Sequence, residues 1–222
     1  MTTVLIADDQ AMQRFGFRML LESQDDMTVV GEATNGTEAV RLADRYRPDV
    51  VLMDVRMPGL DGIEATRRII AAGARSRVLI VTTFDQDAYA YDGLRAGASG
   101  FLVKDAEPEE LLAGVRAVAS GDAVVAPSLT RRLLDAYLHH LPASATPKRP
   151  ELDPRLAALT AREREVLTVV GQGWTNTEIA ARLHLSESTV KTHVTRILSK
   201  TNSRDRVQAV ILAYDTGLVK PA

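Results

Sequence analysis

The stretch Val50-Val51-Leu52-Met53-Asp54 decides the fold, because four consecutive apolar residues run directly into a carboxylate. Apolar runs of the same kind occur at residues 4–6, 78–81 and 100–103. Buried parallel strands are continuously apolar, whereas strands with one solvated face alternate between apolar and polar residues. These four runs are therefore predicted to be strands of one parallel sheet.

Polar side chains that can carry chemistry follow each of these runs. They are Asp8 and Asp9, Asp54, Thr82 and Lys104. In open α/β sheets, ligands bind beyond the carboxyl ends of the strands, where residues distant in sequence meet. We expect three carboxylates, a hydroxyl and an ammonium group to share one site.

Strand-like runs alternate with longer helical patterns along the first 120 residues. A further strand is predicted at 28–31 and helices at 36–46 and 108–120, with Pro108 in a first turn, where proline fits. The helix after Asp9 is predicted to turn four apolar side chains inward, namely Met12, Phe15, Met19 and Leu20. Five strand-helix units in series predict a doubly wound, five-stranded parallel sheet of the α/β class.

Composition excludes several classes of protein. The 222 residues are 45% hydrophobic, which is enough for a sizeable core, and they contain no cysteine. Disulfide frameworks, thiolate catalysis and cysteine-based zinc sites are thereby excluded. No apolar run approaches the ~18 residues of a membrane span, and Asp8 and Asp9 interrupt the start too early for a signal peptide. We expect a cytoplasmic protein with no membrane partner.

The chain is predicted to have three parts. Residues 1–121 form the α/β domain, residues 122–154 a linker, and residues 155–222 an all-α domain. A linker helix is predicted at about 127–141, and the Pro-rich stretch 142–150 after it cannot bury enough apolar surface to order itself. Net charge changes from −4 over residues 1–150 to +2 over residues 151–222, which weakly favours nucleic acid at the C-terminal end.

Helix-start signals divide the C-terminal part into four helices. Two capping boxes join Thr160 to Glu163 and Thr175 to Glu178, and Ser186 is a third N-cap. The predicted helices span 161–171, 176–184, 187–201 and 204–216. The second and third are separated by two residues, which is the tight connection of a helix-turn-helix.

The third of these helices has two contrasting faces. Val190, Val194, Ile197 and Leu198 follow helical spacing and are predicted to be buried. The opposite face presents short polar and cationic side chains, namely Ser188, Thr192, Thr195, Arg196 and Ser199, with Lys191 at its edge. Such a helix fits a DNA major groove. The alternative interpretation is that this polar face is simply exposed to solvent and binds no partner.

Both parts resemble known families. Residues 159–167, 176–180 and 186–194 resemble a LuxR-type DNA-binding domain, although Thr201-Asn202 stands where that pattern usually has an apolar residue and glycine. The five polar residues at the strand ends resemble those of a two-component receiver domain, which has a flavodoxin-like fold. Together, in this order, they resemble a NarL/FixJ-type response regulator over nearly the whole chain.

The resemblance implies a function for each residue of the first site. Asp54 would accept a phosphoryl group from a histidine kinase, with Lys104 neutralising charge. Mg²⁺ would be held by Asp9, Asp54 and the backbone carbonyl of Arg56, with Asp8 acting mostly through water, in keeping with the preference of Mg²⁺ for oxygen ligands.

The resemblance also implies a switch. The Thr82 hydroxyl would donate to the bound phosphoryl group, and Phe101 would then turn inward. Core packing is the alternative role for Phe101. Bulky Arg56 and Phe84 are further predicted to shield the acyl phosphate from water.

Matching to the LuxR-type pattern assigns DNA contacts on the third helix. Lys191, Thr192 and Thr195 would face bases, while Thr189, Arg196 and Lys200 would lie nearer the phosphates of double-stranded promoter DNA. The last helix carries an apolar stripe that could pair two phosphorylated chains as a homodimer, or pack on its own domain: Val207, Val210, Ile211 and Tyr214. RNA polymerase is a possible further partner.

Two other functions remain open at this point. A magnesium-dependent phosphohydrolase could also use Asp54 as an aspartyl-phosphate nucleophile, but its usual second carboxylate two residues later is replaced by Arg56. The other is a regulator that works without phosphorylation, in which the receiver domain serves only for protein contacts. The first would turn over a phosphate ester, and the second would bind DNA equally well without Asp54.

Overall fold

The computed structural model describes residues 1–73, 75–83, 92–121 and 153–219. They fall into two compact units, one within Met1–Val125 and the other within Ala126–Ala222. The predicted linker helix at 127–141, the Pro-rich stretch and Phe84 lie outside the described residues. Across the described ranges, every helix is too short or too polar to traverse a bilayer.

The first unit is built on five parallel strands in the order β2-β1-β3-β4-β5. Their bounds are β1 Thr2–Ala7, β2 Met27–Ala33, β3 Val50–Met53, β4 Arg77–Thr82 and β5 Gly100–Val103. This is the predicted doubly wound, five-stranded parallel sheet, and the fold prediction is confirmed. All four residues of β3 are at most 1% exposed, which explains why this strand is continuously apolar.

Helices cover the sheet between the strands. They are α1 Ala11–Glu22, α2 Gly36–Tyr46, α3 Gly62–Ala71 and α4 Pro108–Ser120, with a further helical turn at 92–95. The Asn35 side chain caps α2 by accepting from the Glu38 backbone N–H, and Asp61 caps α3 in the same way. One core layer joins α1 and α4 to the sheet through Leu21, Leu79 and Val115.

The prediction for the buried face of α1 was wrong for three of its four residues. Met12, Phe15 and Met19 are 81%, 60% and 58% exposed, whereas Leu20 packs against the core as predicted. The buried face instead consists of Phe17, Leu20 and Leu21. The helix carries two apolar stripes at helical spacing, and only contact with the sheet decides which of them is buried.

The second unit is helical. Its helices are α5 Pro154–Ala157, α6 Ala161–Gly171, α7 Asn176–Leu183, α8 Glu187–Thr201 and α9 Arg206–Asp215. The short α5 was not predicted, while both capping boxes and the Ser186 N-cap are present. Asn202 ends α8 in the left-handed conformation, with φ 54°, and so replaces the glycine of the LuxR-type pattern.

The core of this unit is formed by the predicted apolar faces. Val190 and Ile197 of α8 are buried with Leu167 and Ile179. Val194 and Leu198 are partly buried against the same cluster. The side of α8 that faces away from this core is therefore free to carry function.

Candidate phosphoacceptor site and nucleic-acid interface

The carboxyl ends of β1, β3, β4 and β5 meet at one edge of the sheet. The Asp54 backbone N–H donates to the Ala7 carbonyl over 2.8 Å, which carries the β1–β3 ladder one residue beyond the strands. On the other side of β1, the Asp8 N–H donates to the Ala33 carbonyl over 3.1 Å. These bonds fix two carboxylates at adjacent strand ends, and both residues are buried, at 1% exposure for Asp8 and 4% for Asp54.

Lys104 connects the two carboxylates. Its Nζ lies 2.7 Å from Asp8 Oδ2 and 3.0 Å from Asp54 Oδ2, and all three side chains are almost fully buried. The Lys104 backbone N–H donates to the Thr82 carbonyl over 2.7 Å, which holds the end of β4 beside the loop after β5. The structure thus brings the predicted Asp8, Asp54, Thr82 and Lys104 together.

The charges of this site are strongly coupled. Burial raises the pKa of Asp54 above its ordinary value, and the charge of Asp8 adds to the rise, while hydrogen bonds from Lys104 and from the Arg56 backbone N–H oppose it. Burial disfavours the ammonium form of Lys104, but hydrogen bonds to Asp8 and Asp54 outweigh this and raise its pKa. Lys104 therefore remains a cation at the point where negative charge collects.

The acidic residues also fit a divalent metal ion. Carboxylate oxygens of Asp8, Asp9 and Asp54 lie within 4.8 Å of one another, with Asp9 exposed to solvent. Hard oxygen donors and an open side for water match the requirements of Mg²⁺. The Arg56 backbone N–H forms a hydrogen bond with Asp54, so the Arg56 backbone lies beside the site. The role of its carbonyl as a metal ligand stays a prediction.

Two residues that support this site were missed by the sequence reasoning. Arg14 donates from Nη1 to the Asp8 carbonyl over 2.9 Å and from Nε to Glu32 over 3.0 Å, so it ties the acidic turn to β2. Gly62 begins α3 directly against the backbone of Asp54, because a Cβ there would lie 1.9 Å from the Asp54 carbonyl oxygen. Arg14 lies five residues after Asp9, so its position near the acidic pair was a sequence signal for a supporting role. The close approach of Gly62 to Asp54 depends on tertiary structure and leaves no such signal.

The two predicted switch residues lie on neighbouring strands, two positions apart in register. Thr82 is 1% exposed at the end of β4, and Phe101 is 5% exposed within β5, paired with Ile80. The ring of Phe101 is thus already enclosed, as its alternative role in core packing predicts. A rotation of Phe101 from an exposed to a buried position has no exposed starting point in this structure.

The exposed face of α8 carries the predicted DNA-contacting residues. Lys191, Thr192, Thr195 and Arg196 are exposed, and Thr189 is partly buried beside the N-cap. The Ser186 side chain caps the helix by accepting from the Thr189 N–H over 3.2 Å. Polar and cationic side chains therefore project together from a helix with a fixed N-terminus.

Lys200 differs from the other predicted DNA contacts. Its Nζ lies 2.7 Å from Glu163 Oε2, and the Glu163 side chain is only 4% exposed. Hydrogen bonds from Lys200 and from the Thr160 N–H hold the pKa of Glu163 at about 2. Lys200 thus joins the end of α8 to the beginning of α6, and its phosphate contact stays a prediction.

The apolar stripe of α9 is mostly used within its own domain. Val207 and Tyr214 are 1% and 8% exposed, and Val210 is partly buried against the domain core. The burial of Val207 and Tyr214 contradicts the predicted role in dimer pairing and supports the alternative, packing within their own domain. Ile211 is the other partly exposed position of the stripe.

Comparison with known proteins gives consistent matches to both units. Residues 4–116 match the family model described as "Response regulator receiver domain", and residues 157–213 match "Bacterial regulatory proteins, luxR family". The chain is 42% identical over 217 residues to the uncharacterized transcriptional regulatory protein YxjL of Bacillus subtilis, covering 98% of this chain and 97% of that protein. It is 36% identical over 212 residues to the nitrate/nitrite response regulator NarL of Escherichia coli K12, covering 96% and 94%.

Solved structures agree with these matches. The response regulator ChrA of a heme-sensing two-component system is 37% identical, with a TM-score of 0.52 and 98% of each chain covered. A LuxR-family two-component response regulator from Aurantimonas sp. SI85-9A1 is 34% identical, with a TM-score of 0.58, over 62% of this chain and 98% of that one.

The fold and the acidic strand-end site define a receiver domain, and the helical unit defines a LuxR-type helix-turn-helix domain. The chain belongs to the two-component response regulators that combine these two domains and regulate transcription.

Proposed function

We propose that Asp54 is the phosphoacceptor of this response regulator and that its phosphorylation controls DNA binding by α8. The observation that carries the proposal is the cluster in which Lys104 Nζ lies 3.0 Å from Asp54 and 2.7 Å from Asp8. A buried carboxylate beside a fixed cation, with further oxygen donors around it, suits phosphoryl transfer, where positioning and charge neutralisation supply most of the catalysis.

In the proposed reaction, a carboxylate oxygen of Asp54 attacks the phosphorus of a phosphohistidine on a partner kinase. The P–O bond forms as the P–N bond breaks, leaving an acyl phosphate on Asp54 and a neutral histidine on the kinase. Lys104 neutralises charge on the phosphoryl oxygens, and Arg14 holds the Asp8 turn in place. Mg²⁺ held by Asp8, Asp9, Asp54 and the Arg56 carbonyl would supply further neutralisation of the phosphoryl oxygens.

The exposed stripe of α1 supports contact with a protein phosphodonor. Met12, Phe15 and Met19 are each more than half exposed on the helix that begins two residues after Asp9. Exposed apolar side chains at adjacent turns are typical of protein contact surfaces. We propose that the histidine kinase docks on this stripe, in the cytoplasm, where promoter DNA is also present.

We propose that the effect of Asp54 phosphorylation is transmitted through Thr82 to the helical domain. A phosphoryl group on Asp54 gives the Thr82 hydroxyl an acceptor that is present only in the phosphorylated form, and only such a differential contact can shift an equilibrium. Phosphorylation would then favour a homodimer bound to promoter DNA, with half-sites about one helical turn apart. Val210 and Ile211 are the residues of the α9 stripe that remain for pairing, and RNA polymerase is a further proposed partner.

Intact-protein mass spectrometry of the full chain with acetyl phosphate and Mg²⁺ tests the phosphoacceptor directly. The wild type should gain one phosphoryl group that hydroxylamine removes, and Asp54→Asn should gain none. If Asp54→Asn also gained a phosphoryl group under these conditions, the assignment of Asp54 as phosphoacceptor would be contradicted. Continuous hydrolysis of phosphate esters would favour the phosphohydrolase, and operator binding that ignores phosphorylation would favour the phosphorylation-independent regulator.

A further inference from the structure

The hydroxyl groups of two threonines on the exposed face of α8 are already used within the helix. Thr192 Oγ1 donates to the Ser188 carbonyl over 2.9 Å, and Thr195 Oγ1 donates to the Lys191 carbonyl over 3.0 Å. A hydroxyl has one proton, so neither side chain has a donor left for a ligand in this conformation. Threonine is β-branched, and in a helix this backbone hydrogen bond stabilises one of its two preferred rotamers.

What these side chains can still offer to DNA is therefore limited. Outward, each presents a methyl group and hydroxyl lone pairs that can only accept. In the major groove, thymine is the base with a C5-methyl group, and apolar contact with that methyl is its characteristic readout. A threonine methyl that meets a thymine methyl needs no rotation of the side chain and leaves the backbone bond intact.

Other groups on the same helix can supply the donors that Thr192 and Thr195 lack. Lys191 is paired with Glu187 at 3.4 Å, but its side chain is 61% exposed and an ammonium group has three donors. Arg196 is also exposed, one residue beyond Thr195. Each of the two threonines thus has a cationic residue as its chain neighbour, so Lys191 and Arg196 can contact guanine or phosphate while Thr192 and Thr195 contact thymine.

We propose that Thr192 and Thr195 determine sequence specificity by reading thymine methyl groups, and do not donate hydrogen bonds to bases. The inference rests on the proposed docking of α8 in the major groove and adds the class of base that this helix selects. Each half-site should carry thymine at the positions facing these two residues.

The test starts from duplexes selected out of a random library by the full chain, with and without acetyl phosphate and Mg²⁺. In the selected half-site, each thymine is replaced singly by deoxyuridine, which removes only the methyl group. Loss of a methyl contact should weaken binding roughly fourfold at the positions that face Thr192 and Thr195. Deoxyuridine at the other thymines serves as the control and should have little effect.

Two double variants separate the methyl group from the hydroxyl. Thr192→Val with Thr195→Val keeps a methyl and removes the hydroxyl, so the preference for thymine over deoxyuridine should be retained within about twofold. Thr192→Ser with Thr195→Ser keeps the hydroxyl and removes the methyl, so its preference for thymine should disappear. Because Ser and Val could alter the helix itself, circular dichroism and unfolding followed at Trp174 must match the wild type.

The outcomes distinguish the inference from the function on which it rests. If selected duplexes bind but deoxyuridine has no effect, or if the valine variant loses the thymine preference, the methyl readout is wrong and DNA binding stands. If the full chain selects no sequence in either state, the proposed docking of α8 fails and the inference fails with it.

Discussion

Replacing Glu163 by glutamine should destabilise the helical domain through loss of one ion pair. Glu163 accepts from Lys200 over 2.7 Å and from the Thr160 N–H over 2.8 Å. Glutamine can still accept from Thr160, but it has no charge with which to hold Lys200. The connection between the end of α8 and the start of α6 therefore weakens while the helix cap survives.

The pKa of Glu163 gives the magnitude. Its pKa falls from 4.5 to about 2. At about 1.36 kcal/mol per pKa unit, the charged form of Glu163 can contribute at most roughly 3 kcal/mol to the free energy of unfolding. The Lys200 side chain is 37% exposed, so water screens part of the attraction. We expect Glu163→Gln to lower the free energy of unfolding at pH 7 by about 1–2 kcal/mol.

The stabilisation that the Glu163–Lys200 ion pair provides depends on pH. The pKa of Glu163 is lower in the folded chain than its ordinary value of 4.5. Its stabilisation is thus present above pH 4.5 and is lost as the pH falls toward about 2. The difference in stability between wild type and Glu163→Gln should shrink over that range.

Trp174 provides the assay. It is the single tryptophan of the chain and packs against the core of the helical domain, so urea unfolding followed by its fluorescence reports on this domain. Glu178→Gln is the matched control, because Glu178 forms the same capping box with Thr175 but is exposed. Equal losses in the two variants, or a Glu163→Gln loss unchanged at pH 3, would refute the role of the Lys200 pair.

Three further predictions concern the receiver domain. Gly62→Ala should lower its stability by about 1–3 kcal/mol in thermal unfolding, since the new Cβ meets the Asp54 carbonyl, whereas Gly16→Ala fills open space and should cost nothing; equal stability of the two would contradict this. Phe15→Ser should slow phosphoryl transfer from a histidine kinase that phosphorylates the wild type, but not from acetyl phosphate; slowing with both donors would count against a docking role. Thr82→Ala should still be phosphorylated yet lose most of the gain in DNA affinity, and normal DNA binding by the phosphorylated variant would disprove the switch.

The elements of this fold were readable from local sequence where one physical signal dominates. Val50–Met53 is buried on both faces, so its apolar run has no competing explanation. The helices α6 and α7 begin where the capping boxes place them, because the Thr160 and Thr175 hydroxyls satisfy backbone donors that only a helix start leaves free. Such signals need no knowledge of the rest of the chain.

The buried face of α1 could not be read in this way. Phe15 and Phe17 belong to different stripes of similar hydrophobicity, and helical periodicity favours neither. Contact with Leu21 and the sheet selects Phe17. The choice is made by tertiary structure, after the helix itself has been specified.

The site was predictable in its residue types and not in its geometry. Parallel topology alone requires that Asp8, Asp54 and Lys104 meet at one sheet edge. The double contact of Lys104 and the support of the Asp8 turn by Arg14 depend on side-chain positions that sequence spacing does not encode.

Control of DNA binding by Asp54 is tested most directly by the affinity of the full chain for its selected duplex, measured by fluorescence anisotropy before and after phosphorylation with acetyl phosphate and Mg²⁺. Phosphorylation should tighten binding about tenfold or more in the wild type, and Asp54→Asn should show no change under the same treatment. Equal dissociation constants for the phosphorylated and unphosphorylated wild type would disprove this control.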